Sequence, residues 1–368
     1  IDGHAPGVKG KALNAYVAAG VYSDHECATA SEAIEKLELG QVIMIREGTA
    51  AHNLEALMPL LTDKYVDRCM FCTDDKHPSD LLEKGHIDYI IKKAISMGAD
   101  PILAIKVAST NAARYFRLNN RGAIALGYLA DFVIIDNFED FTVEQVYKKG
   151  KLMFNNGKLK EFKAPEVDEF LTTRAHSTFK VDKLTAEAFK IDRPRGVLGM
   201  VPGELMTTDE GYATGVDVVE DVLKIAVVER HNYTGHIGIG YIKGYGLRSG
   251  AVATSISHDS HNIIVVGTND EDMAAAVNHI AENGGGITVF DGGRCIGDVK
   301  LGIAGLMSDA PLIDVNRNLE DAKARAFELG VSNLIDPFMT LSFMSLPVIP
   351  KLRLTTRGVF DVESQSYV

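Results

Sequence analysis

The chain has 368 residues, 46% hydrophobic and 24% charged, an ordinary globular composition with length enough for two or three domains. Fifty acidic side chains against 38 basic ones leave a formal net charge of −12. That balance argues against a general nucleic-acid binder and against an anionic membrane surface as partner, because phosphate contacts need clustered Lys and Arg. No run of about 18 apolar residues occurs, so no transmembrane helix is expected, and four cysteines fit a reducing cytoplasm better than a disulfide scaffold.

The N-terminus shows no basic-then-apolar leader. Ile1 is not a natural start and the first residues read as the end of a strand, so an upstream part is expected. From residue 1 to about 116, short strands alternate with helices. Residues 10–20 (GKALNAYVAAG) read as a helix ending at Gly20, and VYSDHEC as a short strand and turn. SEAIEKLELG reads as a helix capped by Ser31 and stopped at Gly40. QVIMIREG and RCMFCTDD are apolar strands of the kind buried on both faces, and NLEALMPLL between them is helical. SDLLEKGHIDYIIKKAISMG and DPILAIKVASTNAARYF each read as one amphipathic helix, the second capped by Asp100 with Pro101 in its first turn. The C-x-x-C of Cys69 and Cys72 lies inside a buried strand with no second Cys pair, so packing is preferred over zinc or redox work.

This strand–helix alternation predicts parallel strands joined by right-handed crossovers. His4, His25, Glu47 and Asp74 each lie where a strand gives way to a loop, at intervals of 21, 22 and 27 residues, one βα unit apiece. Parallel strands of one barrel place their C-terminal ends on one face, so these four side chains are expected to converge. Four units are half of an eight-stranded barrel. The fold class expected is therefore α/β: the C-terminal half of a (β/α)8 barrel over residues 1–118, small β-domain strands and a connector over 119–165, and a C-terminal α/β domain over 166–368. In that last region KIAVVERH, AVATSISHD, NIIVVGT and GITVFDGG read as strands, and EDMAAAVNHIAENGGG and NLEDAKARAFELG as helices. GHIGIGYIKGYG is glycine-rich but opens no helix, so dinucleotide binding is not expected. FMTLSFMSLPVIP reads as core or a dimer contact.

His4, His25 and Asp74 are metal-ligand types at the mouths of separate strands, and an imidazole–carboxylate set suits Zn, Fe or Mn. A cation there lowers the pKa of bound water to about 7, and a neighbouring carboxylate can carry the proton. The bland alternative is that the histidines are capping or core groups. Asp24 or Glu26 is a candidate acceptor for the second nitrogen of His25, and Glu26 is also a candidate proton carrier or a solvated loop acid. Asp75 is expected to contact substrate or to cap the helix after Pro78, and it cannot point with Asp74 if both are extended. Arg46 and Glu47 are either an internal ion pair or substrate contacts, and His52 and His77 are rim residues. In HDSH, His258 and His261 face opposite sides of a strand and chelate only if a turn intervenes, so lining a site mouth or stabilising an interface with the barrel is preferred.

IDGHAPG, SDHEC, MIREGTAA and FCTDDKHP, in this order, closely resemble the adenine deaminases of the amidohydrolase superfamily. TNAARYFRLNNRGAIALGYLADFVIID resembles the superfamily's passage from its last barrel helix into a small β domain. ISHDSHNIIVVG and FMTLSFMSLPVIPKLRLT resemble the deaminases' own C-terminal domain. The resemblance implies a cytoplasmic purine-salvage hydrolase that converts adenine and water to hypoxanthine and ammonia by metal-activated hydroxide. It implies a divalent metal cofactor, two ions of Mn, Fe or Zn, with His4 and His25 as the strand-five and strand-six ligands. Asp74 becomes the strand-eight ligand and proton shuttle. The catalytic residues are then Asp74, His25 and Glu26, and the substrate contacts Asp75, Arg46 and Glu47. Adenine is the expected partner, in a homo-oligomer of two or more chains, with no nucleic acid and no membrane. The family's His-x-His and bridging ligand are absent from the sequence and are expected before Ile1. Two alternatives are an amidohydrolase acting on a cyclic amide and a non-catalytic fragment.

Overall fold

Four short strands lie side by side, parallel and in chain order: β1 (Asp2–Gly3), β2 (Ser23–Asp24), β3 (Val42–Arg46) and β4 (Cys69–Cys72). They belong to a computed structural model that describes residues 1–49, 51–163, 165–202 and 204–368. The chain divides into two compact units, Ile1–Pro165 and Glu166–Val368. Among the described residues the parallel sheet keeps four strands and does not close into a barrel.

The connections between these strands are helical, as parallel pairing requires. α1 (Gly10–Ala18) joins β1 to β2 and α2 (Ala30–Glu38) joins β2 to β3. Thr29, not Ser31, caps α2: its side chain accepts from the Glu32 amide, because the helix starts one position before Ser31. After β3 come α3 (Leu54–Leu57) and a 3-10 turn, Met58–Leu60. Two stretches that read as single helices are each broken. α4 (Pro78–Glu83) and α5 (Ile87–Ser96) are separated at Gly85, whose φ of +101° no helix accommodates. α6 (Pro101–Ala108), capped by Asp100 as expected, and α7 (Thr110–Tyr115) are separated at Ser109. The core beneath the sheet joins Ile43, Ile45, Cys69 and Phe71 to Leu54, Leu57, Ile90 and Val107. Burial pushes the Cys69 and Cys72 thiols up to about 12, so both are packing groups.

A small antiparallel sheet completes this unit: β5 (Phe132–Ile135), β6 (Val143–Lys148), β7 (Lys151–Asn155) and β8 (Lys158–Leu159). Asn156 and Gly157 turn β7 into β8 with φ of +43° and +80°, the two left-handed positions that make Asn-Gly a hairpin signal.

The second unit opens with α8 (Glu169–His176). Its centre is an eight-stranded sheet: β9 (Arg195–Met200), β10 (Thr207–Ala213), β11 (Val222–Val228), β12 (Ile237–Lys243), β13 (Ala251–Thr254), β14 (Ile263–Gly267), β15 (Gly286–Asp291) and β16 (Arg294–Lys300). The spatial order is β10-β9-β12-β11-β14-β13-β15-β16, antiparallel throughout except for β9 with β12. Both faces are covered. Ala226, Val228, Ile263 and Val265 pack on α9 (Asp270–Glu282) through Met273, Val277 and Ile280. Ile225, Val227, Ile264 and Val266 face α10 (Leu312–Glu328) through Leu319, Ala322 and Ala326. The apolar runs thus reflect burial on both faces of an antiparallel sheet. α11 (Met339–Phe343) and a three-stranded meander of β17 (Leu352–Thr355), β18 (Gly358–Asp361) and β19 (Ser366–Tyr367) close the chain.

Candidate metal centre

The C-terminal ends of the four parallel strands carry the polar side chains of the site. His4 follows β1, His25 follows β2, Arg46 ends β3, and Asp74 stands two residues beyond β4. The His4 and His25 rings meet edge to face with centroids 4.6 Å apart. Nδ1 of His4 lies 3.4 Å from Oε2 of Glu26, and one ligand atom from each of His4, His25 and Glu26 lies within 4.8 Å of the others. Asp74 joins from the far strand, with Oδ2 3.9 Å from Nε2 of His25. Arg46 Nη1 donates to that same Oδ2 at 2.6 Å and stands 3.8 Å from Oε1 of Glu26.

Asp74 adopts φ +55°, a left-handed conformation that Asp tolerates better than most residues. Asp74 and Asp75 are therefore not both extended, and the premise that kept them apart does not hold. Asp75 folds back over Gly48 instead. A Cβ at position 48 would fall 2.3 Å from Asp75 Oδ1, and the Asp75 carbonyl accepts from the Thr49 amide at 2.8 Å. Exchanging Gly48 for Ala is expected to displace the 73–75 turn and to lower the melting temperature, readable by calorimetry.

A buried charge network holds this cluster from below. Lys36, 0% exposed on α2, donates to Asp24 Oδ2 at 2.6 Å, Glu32 Oε1 at 2.7 Å and the Ala5 carbonyl at 2.7 Å. Asp24 accepts from the amides of Ala5 (3.4 Å) and Glu26 (3.1 Å) and from the Cys27 thiol (3.3 Å), and Glu32 accepts from the Gly7 amide at 2.7 Å. Burial raises the Asp24 carboxyl, but the Lys36 hydrogen bond and charge outweigh it and the net displacement is downward. Burial likewise depresses the Lys36 ammonium, and its two carboxylate partners outweigh that, leaving it raised. Asp24, Cys27 and Glu32 also lie close enough together to hold a cation. The cation among them is Lys36. Asp24 is thus no acceptor for His25, since its oxygens hold the backbone that presents both histidines. This network is the functional element that the sequence reading missed.

Glu47 does not join the cluster. It is 1% exposed, accepts from Lys93 at 2.6 Å and lies 2.9 Å from Nδ1 of His52; the internal ion pair is what the structure shows, with Lys93 rather than Arg46 as its partner. A cavity of about 650 Å³, lined by Ile1, Tyr22, Val42, Cys69 and Asn111, lies at the opposite, N-terminal ends of the strands. In the second unit the His258 and His261 rings stand 6.1 Å apart and His258 stacks on Phe343 at 4.5 Å. That pair is not among the described groups of three whose ligand atoms converge.

Two imidazoles and two carboxylates, part-exposed at strand tips and facing a guanidinium, form a donor set that fits a borderline divalent cation. The amidohydrolase family model matches residues 1–153. The adenine deaminase C-terminal domain model matches residues 204–366. "Adenine deaminase 2" of Carboxydothermus hydrogenoformans is 45% identical over 379 residues, covering 100% of this chain and 66% of that protein. Adenine deaminases of Nitratidesulfovibrio vulgaris strain DP4 and Desulfatibacillum aliphaticivorans are 43% and 45% identical, covering 100% of this chain and 65% of each relative. The chain is similar to these adenine deaminases along its whole length, and it spans just under two thirds of the length of these relatives.

Proposed function

We propose that the protein carrying this chain hydrolyses adenine to hypoxanthine and ammonia at a divalent-metal site to which His4, His25 and Asp74 contribute ligands. The observation that carries this reading is the convergence of His4, His25 and Glu26, with Asp74 3.9 Å from His25, at the tips of consecutive parallel strands. The four strands would form strands five to eight of an eight-stranded barrel, and the family's two-ion arrangement of Mn, Fe or Zn would draw its remaining ligands from elsewhere in the longer protein. When bound, the cation supplies Lewis acidity and brings the pKa of water to about 7. Asp74 takes the proton that water loses as it adds to C6 and returns it to the amine as the C6–N bond breaks. Arg46, held between Asp74 and Glu26, keeps the Asp74 carboxylate aimed at the cluster. Glu26, 25% exposed beside His4, orients that imidazole or relays the proton to solvent. In this reading Asp75 would contact the purine.

The test is metal analysis with adenine turnover on the protein at the length of its relatives. The expected result is bound Mn, Fe or Zn, ammonia and hypoxanthine in equal amounts, and loss of both metal and turnover when His4 and His25 are changed together to Ala. Full adenine turnover in a metal-stripped protein or in that double variant would overturn the assignment.

A further inference from the structure

A second convergence of metal-ligating side chains lies wholly within the second unit, and nothing in the proposed reaction uses it. Nε2 of His279 stands 3.1 Å from Oδ1 of Asp298 and 3.8 Å from Sγ of Cys295, and one ligand atom from each residue lies within 4.8 Å of the others. Ligand atoms at about 2.0–2.3 Å from a tetrahedral zinc are roughly 3.3–3.6 Å apart, close to the two measured separations.

The fold brings these residues together by a specific device. His279 lies in the last turn of α9, and the other two lie on β16. Residues three apart on a regular strand face opposite sides. Here Val289 pairs with Gly297 and Phe290 with Cys295, so Ile296 is an inserted residue. That bulge turns Cys295 and Asp298 to the same face, the one that packs on α9, where Phe290 also meets the His279 ring. Bulges are common where a strand must re-aim a side chain.

The polar atoms are held close together by one another and by Asn283. Nε2 of His279 lies 3.0 Å from the Asn283 amide nitrogen as well as 3.1 Å from Asp298. Oδ1 of Asp298 is buried, and its partner in the fold is that imidazole. A cation at this point would take the place of that ion pair and draw on both atoms. The cluster is reachable, since the His279 and Asp298 side chains are 29% and 35% exposed and Cys295 is at the surface.

We propose that His279, Cys295 and Asp298 bind one thiophilic divalent cation, with zinc as the expected ion. A soft thiolate beside an imidazole selects zinc or cobalt over magnesium, calcium or manganese. On binding, Cys295 loses its proton to solvent, the Asn283 amide releases Nε2, and a water completes the tetrahedron. The ion ties the C-terminal end of α9 to the β15–β16 hairpin.

Cobalt(II) reports this site directly, because a cysteine thiolate on cobalt gives a near-ultraviolet charge-transfer band. Metal-free full chain, the Cys295→Ser variant and the His4→Ala/His25→Ala double variant are each titrated with cobalt chloride. The expected result is a saturable thiolate band at one cobalt per chain in the unaltered protein, absent in Cys295→Ser and retained in the double variant. Zinc should raise the melting temperature of the double variant and not that of the same variant carrying Cys295→Ser. A band that survives in Cys295→Ser, or no band at stoichiometric cobalt in the unaltered chain, overturns the site. The double variant lacks the strand-tip histidines, so failure here is distinct from failure of the deaminase reading.

Discussion

Changing Asp74 to Asn in the full-length protein is expected to cut adenine turnover by about 10³-fold or more, with the fold retained. The asparagine is nearly isosteric and tolerates the left-handed backbone at φ +55°, so the turn after β4 survives. What is lost is the basic oxygen. The amide can still face Arg46, but it cannot take a proton from water or return one to the leaving amine. Arg46 keeps Glu26 as a neighbour at 3.8 Å, so its charge is not stranded. Steady-state ammonia release and a melting curve on the same preparation check this. Turnover near that of the unaltered protein removes Asp74 from the chemistry, and a collapsed melting transition makes it a folding residue.

Lys36→Met carries the largest expected cost in stability. The change leaves the buried carboxylates of Asp24 and Glu32 facing each other with no cation, and removing one partner of a buried ion pair costs about 3–5 kcal/mol. Chemical denaturation of the two proteins measures it. The acid side of the stability profile should change as well. Asp24 and Glu32 are both held below their ordinary values, against burial, by Lys36 and by backbone amides. A carboxyl depressed in the folded state contributes stability that is present above its unfolded value of about 4 and is lost as pH falls through the folded one. The unaltered protein should therefore lose stability steeply below about pH 4. In Lys36→Met the backbone amides remain but the cation that offset burial is gone, so the carboxyls rise and the variant should gain relative stability as they protonate. The difference between the two proteins should narrow from pH 7 to pH 4. A constant difference across that range would show that the network is not ionised as described. His4 and His25 should also lose their register in this variant, since Ala5 and Glu26 hang from Asp24.

The strand tips were legible because a βα unit has a narrow range of lengths, so polar residues spaced by 21 to 27 positions recur at equivalent points of the sheet. The network beneath them was not. Glu32 and Lys36 stand four apart on a short helix, which reads as an exposed surface pair, and only the packing of α2 over the β1 and β2 loops shows them to be interior. The partner of Glu47 was hidden for the same kind of reason. Lys93 is 46 residues away on α5, and its neighbourhood depends on a tertiary contact that local pattern does not encode. In the second unit each apolar run announced a strand, but the pairing order depends on long-range register, and the sequence reading did not reach the parallel contact of β9 with β12. The bulge at Ile296 was likewise invisible, because its signal lies in the pairing of β15 with β16.

On this reading the tips of β1, β2 and β4 present His4, His25 and Asp74 to one cation. Anomalous diffraction from crystals of the full-length protein, collected on both sides of the manganese, iron and zinc edges, tests it most directly. The expected result is an anomalous peak within bonding distance of His4, His25 and Asp74 in an enzyme that releases ammonia from adenine. An active crystal form with no metal peak beside those three residues would contradict it.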